Sequence, residues 1–286
     1  MPRLLYADAH AHSNPVTGMG ARRIARKFRS VGGWFMAIVS LPPWHYGLGG
    51  SLEDHLKAVD ITIRECREAR EEGLTVSCLA GFHPAEVDSL VSQGMQPGEV
   101  ARLADKVIDY IAKKCREGLL DGIGEVGRPH YKTMPERVAV AEYVMLRAFE
   151  EARDNDLLIH LHLENAGEAT VLTIDKLARI TGVKPSQLVF HHASRRVAAE
   201  ATLRGYWATL PGKERLLEAV LPGITGEGVM IESDFIDDPK RPCVSSCPWQ
   251  VVEAEKKLLE KGVVGEELLY RLNVDNIVKA YHVQIP

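Results

Sequence analysis

The chain predicts a closed (β/α)8 barrel, an α/β fold of TIM-barrel type formed by one domain over residues 1–286, with extra helices at its C-terminal end. Three observations carry this. Eight short, apolar or β-rich runs fall at residues 4–10, 34–40, 75–82, 120–125, 157–162, 188–191, 206–210 and 229–234, and most are separated by stretches with helical spacing of apolar residues. Strands that alternate with helices build parallel sheets through crossover connections, and eight such units in about 250 residues are the size of a barrel. The first run leads into Ala7-Asp8-Ala9-His10-Ala11-His12-Ser13-Asn14. A doubly wound open sheet would usually place a G-x-G-x-x-G turn there.

The helical segments follow in order. Residues 51–72 open with Ser51 as a helix cap and Asp54 at the capping-box position. Residues 99–116 carry Val100, Leu103, Val107, Ile108 and Ile111 at helical spacing, and residues 135–155 begin with Pro135, suited to a first turn. Segments 168–181, 193–203 and 212–220 come next, and the tail, 249–261 and 266–281, supplies two or three more helices.

Composition narrows the class. Thirty-five basic residues against 39 acidic give a net charge of −4, which excludes an overall basic nucleic-acid coat protein. No run approaches 18 apolar residues, so a membrane span is not expected, and the first dozen residues lack the apolar stretch of a secretory leader. The five cysteines are odd in number and mostly far apart, so a disulfide framework is not expected and a reducing, cytoplasmic setting is. Cys243 and Cys247, four residues apart in a proline-containing loop, read as two loop thiols, with a redox or metal pair as the alternative.

In a barrel enzyme, chemistry sits at the C-terminal ends of the strands. Here those ends read Asp8-x-His10-x-His12, Gly81-Phe82-His83-Pro84, Gly124-Glu125-Val126-Gly127, His160-Leu161-His162, His191-His192 and Glu232-Ser233-Asp234. Most of the eleven histidines thus stand where the barrel mouth would be. Imidazole with carboxylate suits zinc, manganese, iron or nickel. Without a metal, so many polar groups at one mouth would be costly to desolvate. Strand alternation places Asp8, His10 and His12 on one side and turns the neighbours His191 and His192 to opposite sides. His55 reads as a surface residue of a helix. His130 is a residue of the pocket rim or of the surface, and Trp44 and Tyr46, beside His45, line a cleft or pack their loop. Arg22, Arg23, Arg128, Arg195, Arg196, Lys240 and Arg241 follow strand ends and offer a basic rim for a phosphodiester, or are ordinary surface cations.

These motifs, in this order from Asp8 to the tail Asn273-Val274-x-x-Asn276-Ile277, resemble the TatD-like metal-dependent hydrolases of the amidohydrolase barrel superfamily. The resemblance implies two divalent ions, of zinc, manganese or magnesium. His10, His12 and Asp234 would hold one, His162 and His191 the other, and Glu125 would bridge them. The family's register selects His162 over His160 and His191 over His192. Glu125 takes the place of the carboxylated lysine of the lactonase-like and urease-like relatives. Asp234 and Glu125 would be the catalytic carboxylates, with Asp234 accepting the proton of a metal-activated water, and His83 and Arg128 would bind substrate. The implied activity is nuclease-like hydrolysis of a phosphodiester, DNA among the possible substrates. Hydrolysis of a carbon–nitrogen or ester bond in another small molecule, and a metal-binding barrel without chemistry, are the alternatives. No membrane partner is expected.

Overall fold

The computed structural model describes residues 4–286. Residues 1–3, which begin the segment read above for a leader and the span assigned to one domain, lie outside the described residues. Eight parallel strands run in chain order: β1 (Tyr6–Ala11), β2 (Gly33–Val39), β3 (Thr75–Ala80), β4 (Gly122–Gly127), β5 (Leu158–His162), β6 (Leu188–Phe190), β7 (Trp207–Pro211) and β8 (Val229–Glu232). The ring closes where β8 meets β1. The Asp234 amide donates to the His10 carbonyl at 3.0 Å and the His12 amide to the Phe235 carbonyl at 2.8 Å. The barrel expected from the alternation is therefore the fold.

The helices are α1 (Ala21–Ser30), α2 (Leu52–Glu71), α3 (Pro84–Ser92), α4 (Pro97–Arg116), α5 (Pro135–Asn155), α6 (Glu168–Thr181), α7 (Arg195–Thr202), α8 (Glu214–Val220), α9 (Pro248–Glu260), α10 (Glu266–Tyr270) and α11 (Asn276–Tyr281). The Ser51–Asp54 capping box opens α2 as expected. Two helices lie outside the expected set. In α1 the apolar stripe is short (Ile24, Ala25, Phe28) and set among five cationic residues, and no side chain caps it. In α3 the cap is His83, which accepts the Ala85 amide while Glu86 accepts the His83 amide. Histidine is not a usual cap residue, although Pro84 in the first turn and Glu86 in the capping box are ordinary start signals.

Small and medium side chains from five strands, among them Ala7, Ala9, Ala37, Leu79, Val189 and Met230, pack with Ile277 and Ala280 of α11. The C-terminal helices thus close the barrel end opposite the mouth. Asn273 ties them in: its carbonyl side-chain oxygen accepts the Ala7 amide and its backbone carbonyl accepts the Trp34 indole N–H. Its side-chain amide donates to Glu255 of α9 at 2.5 Å. Burial pushes the Glu255 carboxyl up to about 8. The folded protein then holds this proton up to about pH 8, while the unfolded chain loses it near 4.5. Stability from this group is therefore greatest below pH 4.5 and declines as pH rises toward 8, by roughly 1 kcal/mol per unit. Glu255→Gln keeps the acceptor for Asn273 and should flatten that decline, raising Tm at pH 8 but not at pH 4.5. Equal Tm differences at both pH values would contradict it.

Two expectations are corrected. The structure pairs Cys66 of α2 with Cys78 of β3, and Cys243 with Cys247, as disulfides; Cys115 is free. Residues 66 and 78 come together because β3 packs directly under the helix that precedes it. His55 is buried rather than on the surface. Its Nε2 lies 2.9 Å from Glu86, its Nδ1 2.7 Å from the Ser51 carbonyl, and its ring stacks on Phe82. Among the described residues no helix is long and apolar enough to cross a membrane.

Candidate metal centre

Glu125, near the end of β4, is the hub of the mouth. Its Oε1 lies 3.2 Å from His10 Nε2 and 3.3 Å from His12 Nε2. Its Oε2 lies 2.7 Å from His162 Nδ1, 3.5 Å from His83 Nε2 and 3.6 Å from His191 Nε2. Asp234 stands opposite, its Oδ1 3.8 Å from His12 Nε2 and 3.9 Å from His191 Nε2. Strand ends far apart in sequence thus bring His10, His12, His83, Glu125, His162, His191 and Asp234 together. Burial pushes the Glu125 carboxyl up, but the surrounding imidazoles, His83 and His191 foremost, overcome it and hold the group well below the usual range.

What each partner can donate or accept sets the imidazole tautomers. The Ala9 carbonyl only accepts, so the Tyr281 hydroxyl donates to it at 2.8 Å. Tyr281 then accepts from His160 Nε2 at 2.9 Å. Burial holds His160 well below its ordinary value, so it is neutral and its other nitrogen is bare. That nitrogen accepts from His10 Nδ1 at 2.8 Å, which leaves a lone pair on His10 Nε2 facing Glu125. His12 donates from Nδ1 to the Val39 carbonyl at 2.9 Å, and its Nε2 faces Glu125 and Asp234. Lone pairs and carboxylates facing one another repel unless a cation lies among them. In the metal-free protein a proton serves. Burial pulls His12 down, yet Glu125 and Asp234 leave its pKa raised.

The donor set fits a divalent metal. Ligand atoms at roughly 2.1 Å from one ion lie about 3–4 Å apart, the spacing seen here. Burial first, then neighbouring histidines, hold His191 well below its ordinary value and His162 at about 4, so both are neutral, as ligands must be. The buried His162 Nε2 has no partner in the protein. His191 is oriented from behind by Glu232, 2.7 Å from its Nδ1, an arrangement common to metal-binding histidines. His83 differs. Its Nδ1 accepts the Ala85 amide at 2.9 Å, which leaves Nε2 as the donor into the mouth.

Other expected residues are placed otherwise. Arg128 does not reach the mouth: its guanidinium forks onto Glu164 at 2.8 and 3.1 Å and bonds Thr173. Arg22 pairs with Glu71 and Glu72. Among the described residues, Arg241 is the one cation of the expected rim that lines the mouth cavity, which measures about 310 Å³. Trp44, 42% exposed, and His45 also line it, whereas Tyr46 is buried. His191 and His192 do not face opposite ways. β6 ends at Phe190, and His192 has φ 41°, so both rings turn to the mouth. His130 is there too, stacked on His162. His160 and Tyr281 support His10 from below; no local pattern marks Tyr281, which reaches the site from the last helix.

Residues 7–282 match the family model described as TatD related DNase. A relative from Methanocaldococcus jannaschii, an uncharacterized protein, is 28% identical over 279 residues, covering 97% of this chain and 96% of the relative. The TatD-like protein from Archaeoglobus fulgidus has a similar structure, with TM-score 0.65, 16% identity and coverage of 97% of this chain and 100% of that one. The phosphotriesterase homology protein from Escherichia coli, complexed with phosphate in its active site, gives TM-score 0.66 at 15% identity, covering 98% and 100%. Organophosphorus hydrolase from Deinococcus radiodurans gives 0.65 at 12%, covering 98% and 93%. At these identities the solved structures share the fold.

Proposed function

The chain belongs to the TatD related DNase family and is a metal-dependent hydrolase, and from that premise we propose that it cleaves phosphodiester bonds, in single-stranded or terminal DNA or a smaller ester, using two divalent ions. The observation that carries the reading is the convergence of histidine nitrogens on the Glu125 and Asp234 carboxylates at the barrel mouth. His10, His12 and Asp234 would hold one ion and His162 and His191 the other, with the Glu125 carboxylate between the two sets. Bound there, divalent ions would supply Lewis acidity, making a water more acidic and polarising the bond to be cleaved.

The protein's own groups do the rest. Asp234 accepts the water's proton and passes it toward the leaving group. Burial raises its carboxyl, His12 opposes this, and the result is about 6, ionised at neutral pH yet basic enough to take a proton. His83 donates from Nε2 to a phosphoryl oxygen. Arg241, whose Nε is held by Asp238 at 2.9 Å, turns its remaining guanidinium N–H groups to the wall, and the exposed face of Trp44 offers a stacking surface for a base. A cavity of about 310 Å³ suits one phosphoryl group with its sugar rather than a duplex.

The test is turnover of bis-(p-nitrophenyl) phosphate and labelled single-stranded DNA with manganese, magnesium or zinc, and with EDTA. Asp234→Asn should lower kcat about 10²–10⁴-fold with little change in KM. Absence of metal-dependent turnover on both substrates ends the phosphodiester reading, and turnover on a cyclic amide or lactone instead would transfer the site to carbon–nitrogen or ester hydrolysis.

A further inference from the structure

We propose that the ion on the His162 side is held by additional imidazole, from His192 and then His130, and that this nitrogen-rich set makes the position selective for a transition metal over magnesium. The inference rests on the two-ion reading above.

His192 is held in place at a cost. A φ of 41° is uncommon for a residue with a side chain. Its backbone amide donates at 2.9 Å to Glu232 Oε1, while Glu232 Oε2 holds His191 Nδ1 at 2.7 Å. One buried carboxyl group therefore orients two consecutive histidines, and the left-handed turn brings the second ring back to the mouth. There His192 Nε2 lies 3.3 Å from His162 Nδ1. The centroid of His162 is 4.6 Å from those of both His130 and His192, and the latter two are 5.3 Å apart. One ligand nitrogen from each of the three rings lies within 4.8 Å of the others. No other protein group hydrogen-bonds the His192 ring among the described residues. The His162 Nδ1 that faces His192 also lies 2.7 Å from Glu125 and donates its proton there, and a cation taking that proton's place would gain the His192 nitrogen as a neighbouring ligand.

The donor count decides the metal. His162, His192 and His130 offer three imidazole nitrogens within 4.8 Å of one another, beside a single carboxylate, that of Glu125, 2.7 Å from His162 Nδ1. Imidazole suits zinc, iron, nickel and copper, whereas magnesium takes oxygen ligands and retains its waters.

The experiment uses metal-stripped full-length protein titrated with zinc, cobalt(II) or magnesium by calorimetry, with the visible spectrum of the cobalt form as a second readout. The wild type should take up two equivalents of zinc, and millimolar magnesium should not displace the one on the His162 side. His192→Asn preserves the backbone turn, since asparagine tolerates left-handed φ. It should weaken one equivalent by about 10-fold or more and alter the cobalt spectrum, leaving the other equivalent unchanged. His130→Ala, at an exposed position, should act in the same direction more weakly and guards against a folding defect in the first variant. Two equivalents in the wild type, with unchanged affinities and cobalt spectra in both variants, would overturn this proposal and leave the two-ion reading standing. Fewer than two equivalents in the wild type would remove the two-ion reading and this inference with it.

Discussion

Glu125→Gln should abolish most hydrolysis, by about 10³-fold or more, and reduce bound metal from the two ions per chain we propose to one or none. The replacement is nearly isosteric, so the loss is one of charge. In the wild type the carboxylate stays ionised because the histidines around it outweigh the effect of burial. Its two oxygens face different sets, His10 and His12 on one side, His162, His83 and His191 on the other. A neutral amide offers one weak acceptor and an N–H that points at a lone pair. The His12 pKa, raised by Glu125 and Asp234 against the pull of burial, should also fall in the metal-free variant, which NMR titration of the ring measures. Metal content near the wild-type value by elemental analysis would refute the proposed bridging role.

Gly127→Ala should destabilise the fold by ~3 kcal/mol or more, or prevent its accumulation. Gly127 has φ 149°, and a Cβ there would lie 2.0 Å from the His162 carbonyl oxygen. That oxygen belongs to the paired strand β5 and accepts the Arg128 amide at 2.8 Å. Relief requires β4 and β5 to separate at the level of the Glu125–His162 contact, so metal affinity should fall along with Tm. Gly94→Ala is the control. It also has positive φ, 100°, but an added Cβ meets nothing within 4 Å. Its cost should be about 1 kcal/mol, from backbone conformation alone. Equal Tm losses in the two variants would show that close strand approach is not what Gly127 provides.

The local pattern of the chain was enough for the barrel. Each strand announces itself by a short apolar run, and each long helix by spacing and caps such as Ser51–Asp54, because these signals depend on neighbours within a few residues. The strand-end motifs were legible for the same reason: a barrel places every strand's C-terminal end at one mouth, so order alone gathers His10, Glu125 and Asp234. Helix α1, with its short apolar stripe, lacks those signals, and α3, short and capped by a histidine, carries only Pro84 and Glu86.

What only the tertiary structure decided depends on partners distant in sequence. The tautomer of His10 is set by His160 and by Tyr281 of the last helix. Arg128 is withdrawn from the mouth by Glu164, the Cys66–Cys78 pairing follows from a helix lying on its own next strand, and the Glu232 clamp turns His192 beside His191. Periodicity records which face of an element a side chain occupies. It carries no information on which hydrogen-bond or charge partner arrives from elsewhere, and those partners determine whether a side chain is free to act.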